Sequence, residues 1–277
     1  MFNLKRRTII LVSWASEEYG IAGSYEYVFH HTVKLMNRAV GLVNTDICVS
    51  GPIAKPQASP VLKDSVVKAL KMVDDPTTDN GRKYYEFWKE WANKDQNDVP
   101  KEPKIGLLGS GSDHASFAFY ANIPAVNLRF KDDSKAYPGI GQYPTYHTGY
   151  ETFYLMEKLI DPGFKIHRTC AQTSIHVLLE LADSAVLPYN LERFPKVMAE
   201  TLDSFDANNV TDALGKGGVT LIHIKDAVKE FSNATKSFMN DLKIIGNDHD
   251  PMQLRIANDQ MMQLERIFNL PSGLPGN

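Results

Sequence analysis

The 277-residue sequence predicts an α/β fold followed by a helical C-terminal segment. Three observations carry that prediction. Apolar, β-branched runs at 8–12 and 40–46 read as strands buried on both faces, and a shorter run at 125–130 continues them. Amphipathic stretches of helical period lie between these runs. Beyond Asp161 and Pro162 the strand pattern stops and every long segment is helical in period. A chain of this length exceeds one typical domain, so one large α/β domain with a second, smaller unit is expected.

Taken in order, the basic lead 1–7 runs straight into the first strand without a cap or targeting pattern, like a chain that starts inside a domain. Gly20 and Gly23 close a turn, after which 24–37 can form a helix. The second strand, 40–46, ends in Asp46. Residues 50–60 are rich in Pro and Gly and read as a loop, ahead of amphipathic helices at about 61–73 and 82–93 with a turn-rich break at 74–81. The polar stretch 94–104 reads as an exposed connection. The segment LGSGSDH (108–114) is a Gly/Ser hinge opening a helix at 115–121. It has neither a full G-x-G-x-x-G nor a P-loop lysine, so phosphate binding is not expected. A polar loop at 131–142 precedes a helix at about 151–159. The pattern 164–187 places Cys170, Ile175, Leu178, Leu179 and Leu181 on one apolar side, with His167 and His176 as helix-face residues. A helix at 191–202 is followed by a Gly/Asn/Asp-rich stretch, 203–218, that reads as a flexible linker. Two more amphipathic helices, 219–245 and 251–268, make 191–268 a helical-bundle segment, and 270–277 reads as a loop.

Composition excludes some function classes. A net charge of -3 with acids and bases interspersed leaves no nucleic-acid footprint, and no run approaches the roughly 18 apolar residues of a membrane span. Cys48 and Cys170 carry no metal spacing and are expected as two buried or free thiols, the spacing itself leaving a disulfide undecided. Asn209 and Asn233 each head an N-x-T sequon, an acceptor only in a secreted chain.

The chemistry gathers at strand ends. Glu17 and Glu18 follow the first strand, and like charges this close suggest a metal ligand beside a general base. The competing interpretation is a polar helix start, with Ser16 as N-cap and the glutamates favoured by the helix dipole. Asp46 at the corresponding end of the second strand, and His147 beside Tyr146 in a loop, complete a Glu/Asp/His set of zinc type with a hydroxyl able to steady an oxyanion. Asp113 reads as an acid of a helix's first turn or as a partner behind such ligands.

The segments SWASEEYGIAGS, LVNTDI, LGSGSDH, YPTYHTGYET and NDQMMQLERIF together resemble the glutamate carboxypeptidase II branch of the M28 zinc peptidases, in order and over nearly the whole chain. The resemblance implies a partial three-layer αβα zinc-peptidase sheet in 1–188 and part of a transferrin-receptor-like helical dimerisation domain in 189–277. It implies a homodimer, a glycosylated type II ectodomain outside the plasma membrane, and peptide substrates with an acidic C-terminal residue. By position, Glu17 matches the general base that takes a proton from a water between two zinc ions. Glu18 matches a ligand of one zinc, Asp46 a ligand of the other, and His147 a ligand on the Asp46 side or its neighbour. Tyr146 matches the tyrosine that holds the tetrahedral intermediate. Gly111 and Ser112 fall where the family lines its substrate cleft, with Ser112 standing for an asparagine. Arg129 matches one of two arginines favouring acidic side chains, and Asn127 stands where the other would be.

The resemblance also marks what these residues lack. The family's other zinc ligands, a histidine and a bridging aspartate, match nothing here, and neither do the protease-associated domain and the Lys-Tyr pair that grips the substrate carboxylate. Three of five zinc ligands and the base are kept. The expectation is a truncated metallopeptidase whose 277 residues alone do not hydrolyse peptides, since catalytic zinc needs three protein ligands. A transferrin-receptor-like scaffold, an interaction module and an aminopeptidase of the same superfamily are the alternatives. Retention of Glu17, Glu18, Asp46, Tyr146 and His147 together speaks against the scaffold.

Overall fold

Two of the three strand-like runs find each other in the computed structural model, which describes residues 6–94, 101–139, 143–248 and 250–269. Strand β1 (Leu42–Asn44) comes from the 40–46 run. It pairs in parallel with β4 (Ala125–Asn127) of the 125–130 run, Val43 opposite Val126. On the far side of β4 lies β3 (Gln57–Ala58), antiparallel, giving the order β1-β4-β3. A second, two-stranded sheet joins β2 (Ile53–Ala54) to β5 (Phe130–Lys131).

The segment 50–60, expected as loop, thus holds two short strands. Its apolar residues Ile53, Ala54 and Ala58 are buried, and Ser59 fixes the exit by donating its amide to Ala125 and accepting from the Ala125 amide at 3.0 Å. The opposite correction applies to 8–12. That run is not a strand, and Ile10 and Leu11 are 66% and 87% exposed. A strand exists through its ladder partners. Among the described residues none lies beside this run, so β-branched composition alone produces extended chain.

The helices are α1 (Ala22–Arg38), α2 (Lys63–Met72), α3 (Tyr84–Asn93), α4 (Lys165–Asp183), α5 (Arg193–Ala207), α6 (Val210–Lys216), α7 (Ile222–Asp248) and α8 (Pro251–Arg266). The expected helices at 115–121 and 151–159 are wider π-helical turns, Ser116–Tyr120 and Leu155–Ile160. The supposed linker 203–218 is largely helical, because α5 continues to Ala207 and Asn209 starts α6 from a left-handed conformation. Helix α8 starts where its sequence says: Pro251 needs no amide partner, and Asp250 accepts from the Met252 amide at 2.8 Å.

Helix α2 packs on α3 and α4, and its Val66 and Leu70 share one core with Val126 and Leu128 of the β4 segment, Trp88 of α3 and Val177 and Leu181 of α4. Each such side chain contributes roughly 1.5–3 kcal/mol when fully buried. On α4 the apolar side is carried by Ile166, Cys170, Val177 and Leu181. Ile175, expected there, is 51% exposed because the face turns away from it. Met261 and Met262 of α8 and Leu242 of α7 join the same core. The expectation of free thiols is corrected as well: Cys48 and Cys170 are disulfide-bonded, with Cα atoms 6.5 Å apart.

Candidate active site

Glu17 and Glu18 sit on a tight turn. The Ile21 amide donates to Glu17 O at 2.7 Å and the Ala22 amide to Ser16 O at 3.1 Å. Ser16 and Gly20 take the left-handed conformation that such a reversal requires. The competing capping interpretation does not hold. The residue preceding α1 is Ile21, no side chain caps the helix, and no acid lies in its first turn. The turn is packed directly on the helix, and a Cβ on Gly23 would lie 2.3 Å from the Ala15 carbonyl oxygen. Only glycine permits that approach.

The Glu17 carboxyl is pushed above its ordinary range by partial burial first, then by the charges of Asp46, Glu18 and Asp113, and His147 opposes them. Five groups from four separated segments therefore share one field. His147 Nε2 lies 2.9 Å from Glu18 Oε1. The imidazole is presented by a loop in which His147 adopts a left-handed conformation, with its amide donating to Glu151 Oε2 at 3.0 Å. Tyr143 anchors the same carboxylate through its hydroxyl, and Tyr146 stacks flat on the imidazole with ring centres 3.8 Å apart. His147 thus contacts Glu18, whereas the resemblance put it on the Asp46 side or its neighbour.

Ser112 is buried and its hydroxyl accepts from Asn44 Nδ2 at 2.9 Å, while that amide also reaches Asn127 Oδ1 at 3.2 Å. Asn127 in turn donates to Gln57 Oε1 at 3.3 Å. This neutral chain runs across β1, β4 and β3, so Ser112 braces the sheet edge, while Gly111 beside it is exposed. Arg129 lines a cavity of about 560 Å³ together with Lys55, Lys131, Trp88 and Trp91. Burial, and Arg129 after it, hold the Lys131 ammonium below its usual range.

His114 is a residue that sequence reasoning passed over. It is fully buried, and its Nε2–H donates to Gly109 O at 2.7 Å. Burial lowers its pKa, with Arg129 adding to the effect and the Gly109 bond, Asp46 and Asp113 opposing it. Its Nδ1 and Asp113 Oδ1 are buried without hydrogen-bond partners. The signal was present in the sequence, since a hinge ending in Ser-Asp-His carries two titratable groups directly to the sheet edge.

Among the described residues no three His, Cys, Asp or Glu groups converge into one coordination shell. The pair Glu18 and His147 nevertheless fits zinc, with one carboxylate oxygen and one imidazole nitrogen as donors. At 2.9 Å the two donors meet directly as a hydrogen-bonded pair, and it is their residue types that suit zinc.

The sequence profile of Peptidase family M28 matches residues 2–161. The chain is 36% identical over 277 residues to a protein named Aminopeptidase NAALADL1 from Mus musculus. It is 31% identical over 269 residues to a Probable glutamate carboxypeptidase LAMP1 from Arabidopsis thaliana, and 30% identical over 290 residues to a Glutamate carboxypeptidase 2 homolog from Caenorhabditis elegans. These alignments cover 97–98% of this chain and 36% of each relative, so the chain spans about a third of their length.

Proposed function

The chain belongs to peptidase family M28, and from that premise we propose that it is the part of a zinc-dependent, glutamate carboxypeptidase-like exopeptidase that carries the general base and three metal ligands. The observation that supports this most is the meeting of Glu18 with His147 beside a Glu17 carboxyl whose proton affinity is raised. Glu18 would hold one zinc ion and Asp46 the other, with His147 as a further ligand on the Asp46 side or its neighbour. Bound zinc makes a coordinated water acidic near neutral pH and polarises a carbonyl.

The chain's own residues do the rest. Glu17, with its proton affinity moved toward neutrality, takes a proton from the attacking water and returns it to the leaving amine. Tyr146, held against the His147 ring, offers its hydroxyl to the developing oxyanion. Arg129, Lys55 and Lys131 around the cavity supply positive charge for an acidic side chain of the substrate, in place of the arginine that Asn127 replaces. A second interpretation, an aminopeptidase taking neutral residues, is favoured by the uncharged Ser112–Asn44–Asn127–Gln57 chain and by the name of the mouse relative.

Residues 1–188 are assigned to the peptidase domain and 189–277 to a helical domain through which the protein homodimerises. Ile222 and Ile244 stand exposed on one face of α7, available for that contact. The protein is placed outside the cell as a glycosylated ectodomain, with Asn209 and Asn233 as acceptors. No described helix is long and apolar enough to cross a membrane. With three of the five implied ligands, the 277 residues by themselves do not turn over peptide.

Glu17→Gln in the full-length enzyme tests the assignment. Zinc content should stay at the wild-type level while turnover of an acidic dipeptide falls by about 10²–10⁴-fold. Retained turnover would remove Glu17 from the base role.

A further inference from the structure

Cys48 stands two residues beyond Asp46, and its amide donates to Asp46 O at 2.7 Å, so ligand and cysteine share one tight turn. On its other side that turn is held by backbone bonds to β5: the Phe130 amide donates to Cys48 O at 2.8 Å and the Ser50 amide donates to Phe130 O at 2.7 Å. Cys170 reaches it from α4, 122 residues away, on the helix face that also buries Ile166, Val177 and Leu181. Cys170 is 2% exposed and Cys48 packs against the same core. The Cα separation of 6.5 Å lies within the span a disulfide bridges.

We propose that the Cys48–Cys170 disulfide is a positioning device for the Asp46 turn, formed during folding in an oxidising compartment. The positioning half rests on the interpretation of Asp46 as a zinc ligand, whereas the crosslink itself does not. Three physical points support it. A turn at a strand end is loose in proportion to the backbone it leaves unpaired, and α4 packs across β1, so a bond from α4 fixes the turn from the side β5 cannot reach. Cys170 belongs to the core and Cys48 packs half-buried against it, so reductants reach the bond from one side only, which suits a permanent crosslink rather than a switch. Persistent disulfides are rare where glutathione keeps thiols reduced. Closure joins two thiols as one S–S bond, and the two electrons and two protons released pass to the disulfide of an oxidoreductase, which leaves as a dithiol.

The test uses the full chain secreted from eukaryotic cells. Peptide mapping without reductant should find Cys48 and Cys170 in one linked pair, and alkylation of both as free thiols in the folded protein would overturn the crosslink. The double variant Cys48→Ala/Cys170→Ala should melt lower and should bind zinc at least tenfold more weakly, read by competition with a chromophoric chelator. Leu181→Ala, which loosens α4 without touching the turn, should melt lower with unchanged zinc affinity. Equal zinc affinity in the double variant and the wild type would overturn the positioning role. If the linked wild type takes up no zinc, the metallopeptidase interpretation fails and the positioning role with it, while the mapped crosslink stands.

Discussion

Replacing Gly23 by alanine should injure the site more than the fold. The new Cβ would stand 2.3 Å from the Ala15 carbonyl oxygen and 3.2 Å from that residue's nitrogen and carbonyl carbon. Comfortable contact begins about 1 Å farther out, so α1 or the 16–21 turn must retreat by roughly that amount. Alanine gains about 1 kcal/mol over glycine inside a helix, and forced overpacking costs about 1–3 kcal/mol. The net expectation is a loss of up to about 2 kcal/mol, or at most a few degrees in Tm. Glu17 and Glu18 ride on the displaced turn, and a misplacement of about 1 Å at a reacting group is worth on the order of 100-fold in rate. Thermal unfolding, zinc affinity and dipeptide turnover, measured together in the full-length enzyme, separate the two effects. Wild-type zinc affinity and turnover in the Gly23→Ala protein would refute the dependence of the carboxylates on this turn, and a clear gain in stability would refute the close approach itself.

Other perturbations have equally definite outcomes. Asp161 accepts the Ile166 amide at 3.0 Å, the His167 amide at 2.8 Å and His167 Nδ1 at 2.7 Å at the start of α4. Burial opposes its ionisation, but these bonds outweigh it and hold the carboxyl below its usual range. Its contribution is thus present above the ordinary aspartate pKa and vanishes as pH falls through the lowered one. Asp161→Ala should cost about 2–4 kcal/mol at pH 7 and show a shallower loss of stability in acid, read by urea unfolding at pH 7 and pH 3. Glu265 behaves oppositely: burial raises its pKa to about 7, against a Ser59 hydrogen bond and the Arg266 charge. Stability should therefore fall as pH rises from the ordinary glutamate range through about 7. Glu265→Gln should flatten that fall, by at most about 3 kcal/mol, in urea midpoints at pH 5 and 8. Gly215, helical in α6 with open space around its Cα, should accept alanine with a gain of up to about 1 kcal/mol in thermal unfolding.

The amphipathic helices were the legible part of the fold. α2, α3, α4, α7 and α8 lie where 3.6-residue periodicity puts them, because each buries one stripe on a common core. The 8–12 run misled because strand character depends on a neighbour that composition does not reveal. The short β2 and β3 were hidden inside a Pro/Gly stretch for the same reason, their pairing being with residues some 70 positions away. The disulfide was illegible because only the packing of α4 across β1 brings Cys170 to Cys48. At the site, residue type and resemblance singled out Glu18 and His147, and their contact at 2.9 Å comes from the turn and loop that carry them. The Ser-Asp-His hinge signalled that titratable groups sit at the sheet edge, but the burial of Ser112 and His114 depends on Asn44 and Gly109, partners that the hinge motif does not specify.

Zinc titration of the 277-residue chain, its Glu18→Gln and His147→Gln variants alongside, with a parallel acidic-dipeptide assay, tests the site assignment most directly. The expected result is zinc uptake that weakens in either variant, together with no turnover by the wild-type chain. Two tightly held zinc ions with turnover would contradict the incomplete site, and zinc uptake indifferent to both substitutions would contradict the pairing of Glu18 with His147 as metal ligands.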